Sequence, residues 1–235
     1  MPILPCIVTL GDSPEGTYIG YKNREIEFKL EVKDTKTSLA RLSKPLMNVL
    51  DVRRVLVGRS IDVYWSLDRF RWKKLGTRGK VRGDFLRVRC LETGMGQVTL
   101  KEQDRGTYSN RVEIDVTTAN PRQACELLGH LFGDTAGYIH KSYHVLFLED
   151  EHTTVSFYKV HNDGRVFMEI EAKTMRRATQ LLDTVTQAIL AEVDPVNASL
   201  YDLVLRGKPG IPLSKIRLPM SRNKVVMPSS KRRAA

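Results

Sequence analysis

Cysteine is scarce in this chain, and its placement excludes two kinds of site. Cys6, Cys90 and Cys125 are odd in number and none belongs to a CxxC pair. Neither a disulfide framework nor a structural zinc site is therefore expected, and a reducing, intracellular setting is. No apolar run approaches the ~20 residues that a membrane-spanning helix needs, and residues 1–10 lack the basic and long apolar regions of a secretory signal. The expected location is the cytoplasm, with no membrane partner. The GxxxxGK[ST], GxGxxG and GxSxG patterns are all missing, which removes the commonest nucleotide-binding and hydrolase frameworks. His140 and His144 stand four apart, but in a stretch that reads as a strand, where that spacing makes no metal pair. Both are expected to be ordinary surface or core histidines.

What the chain does have is charge at strict two-residue spacing. In Glu25-Ile26-Glu27-Phe28-Lys29 two acids and a base must share one face of a strand, with Ile26, Phe28 and Leu30 on the other. One such strand is an ordinary half-buried strand. The alternation returns, however, with Arg87 and Arg89, with Lys101, with Arg111, Glu113 and Asp115, and with Glu169 and Glu171. If the charged faces converge, the sheet closes into a barrel with polar residues inward and apolar residues outward under helices, the inverse of the usual soluble pattern. Lys29, Arg87, Arg89, Lys101, Arg111 and Lys141 have the chemistry to neutralise a polyanion, and Glu25, Glu27, Glu113, Glu169 and Glu171 that to hold hard divalent cations by oxygen. Carboxylates brought together without a cation would repel one another and take up protons.

The pattern predicts an α+β domain. A strand is expected over 24–32, a short helix over 38–50 kinked at Pro45, a strand over 55–65, a helix opened by Asn120-Pro121 and closed by Gly133, a hairpin turn at Asp163-Gly164, a long helix over 174–193 and a short one over 199–205. Each half contributes a Glu-x-Glu strand and a helix, without tandem repeat. Residues 69–82 interleave bases with Phe70 and Trp72, which suits single-stranded nucleic acid or a solvated hairpin. Of the formal net charge of +11, eight positive charges come from residues 207–235, which carry no acid and four prolines. The organisation read from this is a domain over 1–206 and an extended basic tail over 207–235, either an arm for RNA or DNA or a solubilising tail. Oligomeric state is not legible.

Taken in order, the motifs resemble a known family. Glu25-Ile26-Glu27-Phe28-Lys29 is similar to the ExExK opening of the CYTH family, the triphosphate tunnel metalloenzymes that include class IV adenylyl cyclases and thiamine triphosphatases. Asp62-Val63-Tyr64-Trp65, Leu86-Arg87-Val88-Arg89, Thr99-Leu100-Lys101, Arg111-Val112-Glu113, Lys141 and Glu169-Ile170-Glu171 follow in the family's order. The resemblance implies an eight-stranded antiparallel β-barrel tunnel with a charged interior and helices packed outside. It implies that Glu25, Glu27, Glu169 and Glu171 bind Mg²⁺ or Mn²⁺, that Glu113 serves the metal or an arginine, and that Lys29, Arg87, Arg89, Lys101, Arg111 and Lys141 hold a triphosphate. Glu25, Glu27 and Lys29 are the expected catalytic set. The implied activity is metal-dependent hydrolysis of a nucleoside, inorganic or other small triphosphate. The alternatives are a class IV-type cyclase, a nucleotide- or polyphosphate-binding protein without turnover, and an RNA 5′-triphosphatase. Two departures bear on turnover: Tyr143 stands where the family has a base, and Phe157-Tyr158-Lys159 where it has an aspartate.

Overall fold

The computed structural model describes residues 20–66, 85–102, 111–149, 152–189 and 191–219, with the backbone alone for 20–25, 101–102 and 111–113. The sheet strands are β1 (Gly20–Val32), β2 (Arg54–Ser66), β3 (Phe85–Leu91), β4 (Gly96–Glu102), β5 (Arg111–Thr118), β6 (Gly137–Phe147), β7 (Thr154–Val160), β8 (Val166–Ala172) and β9 (Val193–Pro195). The helices are α1 (Leu39–Ser43), α2 (Pro121–Phe132), α3 (Met175–Ala188) and α4 (Leu200–Val204), with 3-10 turns at Lys44–Asn48 and Leu213–Lys215. None of the described helices is long and apolar enough to cross a membrane. The predicted basic segment 69–82 and tail residues 220–235 lie outside the described residues.

Local chemistry accounts for the boundaries. The Asn120 side chain accepts from the Gln123 backbone N–H at 3.2 Å, Pro121 occupies the first turn, and Gly133 ends α2 at φ 75°, a backbone angle that glycine adopts without a Cβ clash. Pro45 has no N–H to continue α1 and the chain tightens into a 3-10 turn. Thr174 caps α3, and Ser199 with Asp202 forms a reciprocal capping box on α4.

The strands form one antiparallel sheet in the order β5-β4-β3-β2-β6-β7-β8-β1-β9. β1 serves different partners along its length. Residues 26–32 pair with β8, in register Glu27↔Glu171 and Lys29↔Glu169, and residues 20–25 pair with β5, in register Glu25↔Arg111. Among the described residues there are nine strands, where eight were expected. The extra one, β9, corrects the predicted helix over 174–193: α3 stops at Ala188, and Val193 to Pro195 pair with Val32 to Leu30. The apolar stripe continues to Ile189, but backbone pairing with β1 outweighs helical periodicity beyond it.

Both faces of the sheet are covered, by different elements. On one, α1 and α3 lie over Leu30, Val32, Leu146, Phe157, Met168 and Ile170, and α2 lies over Val63, Trp65, Val88 and Cys90. The other face is ionic along its middle and apolar at one end. There α4 sets Leu200, Tyr201, Val204 and Leu205 against Tyr64, Phe85, Ile139, Tyr158 and Phe167. That face is thus not charged throughout, whereas the alternation alone predicts that it would be. Packing also continues past residue 206: Thr135 pairs with Ile211 and Ile216 is buried beside Trp65 and Cys125.

The start of α2 is pressed against β4. A Cβ on Gly96 would lie 2.5 Å from the Arg89 carbonyl oxygen and 2.5 Å from Pro121 Cβ, and neither atom sits at the end of a flexible side chain. Gly96→Ala is expected to destabilise the fold by about 1–3 kcal/mol through overpacking, read as a lower midpoint in urea denaturation. An unchanged midpoint would mean that α2 shifts freely on the sheet.

Candidate functional site

Two ion-pair centres stand on the ionic face. The first is built on Asp62 of β2, which is fully buried. Its carboxylate accepts from Arg89 (Nε to Oδ1 3.1 Å, Nη2 to Oδ2 3.1 Å), from the Ser60 hydroxyl at 3.0 Å, and pairs with Lys141 Nζ at 2.9 Å. Register explains the meeting: Asp62 is opposite Arg89 on β3, and Ser60 is opposite Lys141 on β6. Burial alone would raise the Asp62 pKa, but Arg89, Lys141 and Arg87 outweigh it and hold the carboxyl well below the usual range.

The second centre is built on Lys29 of β1, whose Nζ lies 2.7 Å from Glu27 Oε1 and 2.9 Å from Glu169 Oε1. The Tyr158 hydroxyl donates to the same Glu169 oxygen at 2.6 Å, and Thr154 donates to Glu171 at 3.0 Å. Between the two centres Arg87 donates to the Thr99 hydroxyl at 2.8 Å, which donates to Asp115 at 2.5 Å.

The buried lysines titrate in opposite directions. Burial disfavours the charged form of both. For Lys29 the carboxylates of Glu169 and Glu27 overcome that and raise the pKa. Lys141 shares the Asp62 carboxylate with Arg89, and burial together with Arg89 and Arg87 outweighs Asp62 and Glu169 and brings it down to about 8. Burial and the neighbouring Glu169 push the Tyr158 phenol well above its ordinary value, so it remains a hydrogen-bond donor.

A cavity of about 430 Å³ opens onto both centres and is lined by Lys29, Arg87, Arg89, Lys141, Glu169 and Glu171, six of the residues expected to form the site. Glu27 joins them through Lys29. For Glu25, Lys101, Arg111 and Glu113 the backbone register alone is described, with Glu25 opposite Arg111 and Lys101 opposite Glu113. Tyr143 and Tyr158 line the cavity as well. Gly58 leaves the space that Tyr143 fills, since a Cβ there would come within 2.7 Å of the phenol oxygen. Among the described residues no three His, Cys, Asp or Glu side chains are gathered as a metal centre. Three residues gained no role from sequence reasoning: Asp62, Asp115 and Thr99. The signal for Asp62 was an acid, in phase with Ser60 and Tyr64, between the apolar residues Ile61 and Val63.

No protein-family profile and no curated protein matches the chain. Solved structures do. A conserved hypothetical protein from Pyrococcus furiosus superposes with a TM-score of 0.56 at 17% identity, covering 77% of this chain and 99% of its own. The PH1819 protein from Pyrococcus horikoshii OT3 gives 0.57 at 18%, covering 78% and 99%. A protein from Hippeastrum, assigned as an adenylyl cyclase and described as having a dominant triphosphatase activity, gives 0.52 at 14%, covering 79% and 97%. At these identities the likeness establishes the fold alone, and the fold is CYTH-like.

Asp62→Ala would leave Arg89 and Lys141 facing each other without a counter-charge. Removing one partner of a buried pair costs about 3–5 kcal/mol, and that loss is expected in urea denaturation at neutral pH. Because the folded pKa of Asp62 is depressed, the stability it contributes is complete above the unfolded value of about 3.9 and is lost as pH falls towards the folded value. The difference between wild type and variant should therefore narrow in acid. A difference that does not change with pH would show that Asp62 acts through shape rather than charge.

Proposed function

We propose that the protein is a member of the CYTH family that binds a triphosphate-bearing compound in this cavity and hydrolyses it with a divalent metal ion. The observation that carries the reading is the convergence on one cavity of Arg87, Arg89 and Lys141 with the paired acids of β1 and β8. The β1–β5 pairing supports a sheet that wraps into an eight-strand tunnel around it, with β9 as an outside addition. The described activity of the Hippeastrum protein supports the choice of hydrolysis.

The donor set suits Mg²⁺ or Mn²⁺. Glu27 and Glu171 stand opposite each other with Glu169 two residues on, and carboxylate oxygens are what a hard cation takes. Glu27, Glu169 and Glu171, with Glu25 two residues before Glu27, would hold it. When bound, the ion would supply charge neutralisation at phosphate oxygens and a more acidic water. The chain's own groups do the rest. Arg87, Arg89 and Lys141 bind and orient the phosphate chain, with Lys101 and Arg111 extending the set. Asp62 positions Arg89 and Lys141, and Lys29 and Tyr158 position Glu169. Water would attack the terminal phosphorus, the bond from that phosphorus to the bridging oxygen would break, the diphosphate fragment would leave with the electron pair on that oxygen, and the proton lost by the water would pass to solvent, leaving orthophosphate.

Binding without turnover is the second reading, and Tyr158 favours it. A tyrosine hydrogen-bonded to Glu169 replaces the carboxylate that the resemblance implies, and Lys29 already engages Glu27 and Glu169. Phosphate release from ATP, GTP, thiamine triphosphate and inorganic tripolyphosphate, with Mg²⁺ or Mn²⁺, separates the readings. Hydrolysis is expected to yield diphosphate and orthophosphate and to be lost in Glu27→Gln/Glu171→Gln protein. Intact ligand retained stoichiometrically supports binding alone, and cyclic nucleotide with pyrophosphate would mean cyclisation.

A polyanion beside Lys141 should raise its pKa from about 8. Binding of tripolyphosphate near pH 8.5 is then expected to take up a fraction of a proton, with none from this lysine well below pH 8. Calorimetry in buffers of different ionisation enthalpy measures this. Uptake that is unaltered in Lys141→Arg protein would assign the proton to another group.

A further inference from the structure

β2 extends further than one of its two neighbours. Its pairing with β6 starts at Arg54, and its pairing with β3 starts only at Ser60, so among the described residues 54–59 have a strand on one side alone. Just beyond the β3 register the Glu92 N–H donates to the Arg59 carbonyl at 3.4 Å. Successive residues of an antiparallel strand direct their backbone groups to alternate sides. Since Arg59 faces the β3 side, Val55 and Val57 face it too, and there they meet the open edge. The side chains along this stretch are exposed as well, Val55 by 41%, Leu56 by 43% and Val57 by 59%. An apolar edge of this kind is a template for one more strand.

Charge decides which strand can fit. Arg54 and Arg59 bound the apolar stretch at its two ends, and both are exposed. In a twofold pairing of two copies that covers the whole stretch, Arg54 of each copy would stand opposite Arg59 of the other. Like charges directly opposite each other are destabilising, so the edge disfavours a second copy of itself at both ends. A strand with an acid at each of those positions gains at both ends instead, and apolar residues between the acids cover Val55, Leu56 and Val57.

We propose that residues 54–59 are a docking edge for an extended segment of a protein partner, one that carries two acids five residues apart with apolar residues between them. The spacing is that of Arg54 and Arg59. Backbone hydrogen bonds to Val55 and Val57 hold the segment, as in other cases of strand addition to a sheet edge. The two acid–arginine pairs set the register, because a slip of one residue moves every side chain of the segment to the other face. The edge is independent of the triphosphate reading, which concerns the ionic cavity.

The probe is a dye-labelled, end-blocked peptide, Glu-Thr-Ile-Val-Thr-Glu, compared by fluorescence anisotropy on the full chain with the same peptide carrying Lys in place of both acids. The acidic peptide is expected to bind about fivefold or more tightly. Arg59→Glu should bring the two peptides to within about twofold, and Arg54→Glu/Arg59→Glu should reverse their order. Val57→Pro removes an N–H aimed into the edge and none that faces β6, so it should abolish binding while the melting temperature shows the fold intact. If that variant does not fold, the two arginine variants carry the test. Saturating tripolyphosphate is expected to leave the acidic peptide bound, and its displacement would put the peptide in the cavity and overturn the inference. No binding of either peptide, equal affinities in the wild type, a preference unaltered in the arginine variants, or binding that survives in folded Val57→Pro protein overturns it too. A wild-type dimer that Val57→Pro converts to a monomer would assign the edge to a second copy and overturn the partner reading.

Discussion

A fully buried carboxylate must meet enough positive charge to remain ionised, and Asp62 does so by drawing two strands together. Arg89 comes from β3 and Lys141 from β6, the strands on either side of β2. One acid thereby fixes the orientation of two bases that face the cavity. The cost of removing these groups from water is offset only while all three are present, so the geometry at this point is all-or-none. Arg87 adds to the positive field at Asp62 and is itself oriented by its hydrogen bond to Thr99.

The Lys29 centre solves the opposite problem, a surplus of acids near one base. Glu27 and Glu169 come from neighbouring strands and their mutual repulsion is relieved by the ammonium between them. The cavity therefore has a built-in polarity, with a base-rich wall on β3 and β6 and an acid-rich wall on β1 and β8. A ligand carrying both phosphate and a bound cation matches that division, whereas a simple anion would meet the acid wall unfavourably. α1, α2 and α3 hold the strands from the opposite face, and α4 covers one end of the ionic face.

Much of the arrangement was legible because a strand's side chains alternate without exception. Glu27, Lys29, Arg87, Arg89, Lys141, Glu169 and Glu171 fall on one face for that reason alone, and the caps at Asn120 and Thr174 are local chemistry. What was not legible depended on partners distant in sequence. The role of Asp62 needs the registers with Arg89 and Lys141. β9 arises because the edge of β1 offers hydrogen bonds to residues whose own pattern suits a helix. The aromatic closure by α4 joins Tyr64, Phe85 and Tyr158 with residues 200–205, which no short motif connects. The expected boundary at residue 206 rested on charge and proline content, and neither reveals that Ile216 packs beside Trp65.

Among the described residues α4 covers one end of the cavity, with Leu200 and Tyr201 packed across it. Whatever leaves by the other end passes where the next molecule arrives. After hydrolysis the orthophosphate, formed deepest among the bases, would be trapped behind the larger fragment. Under the proposed hydrolysis, release would be ordered, the diphosphate first and orthophosphate second, and orthophosphate would then be the product that competes directly with fresh substrate for the vacated pocket.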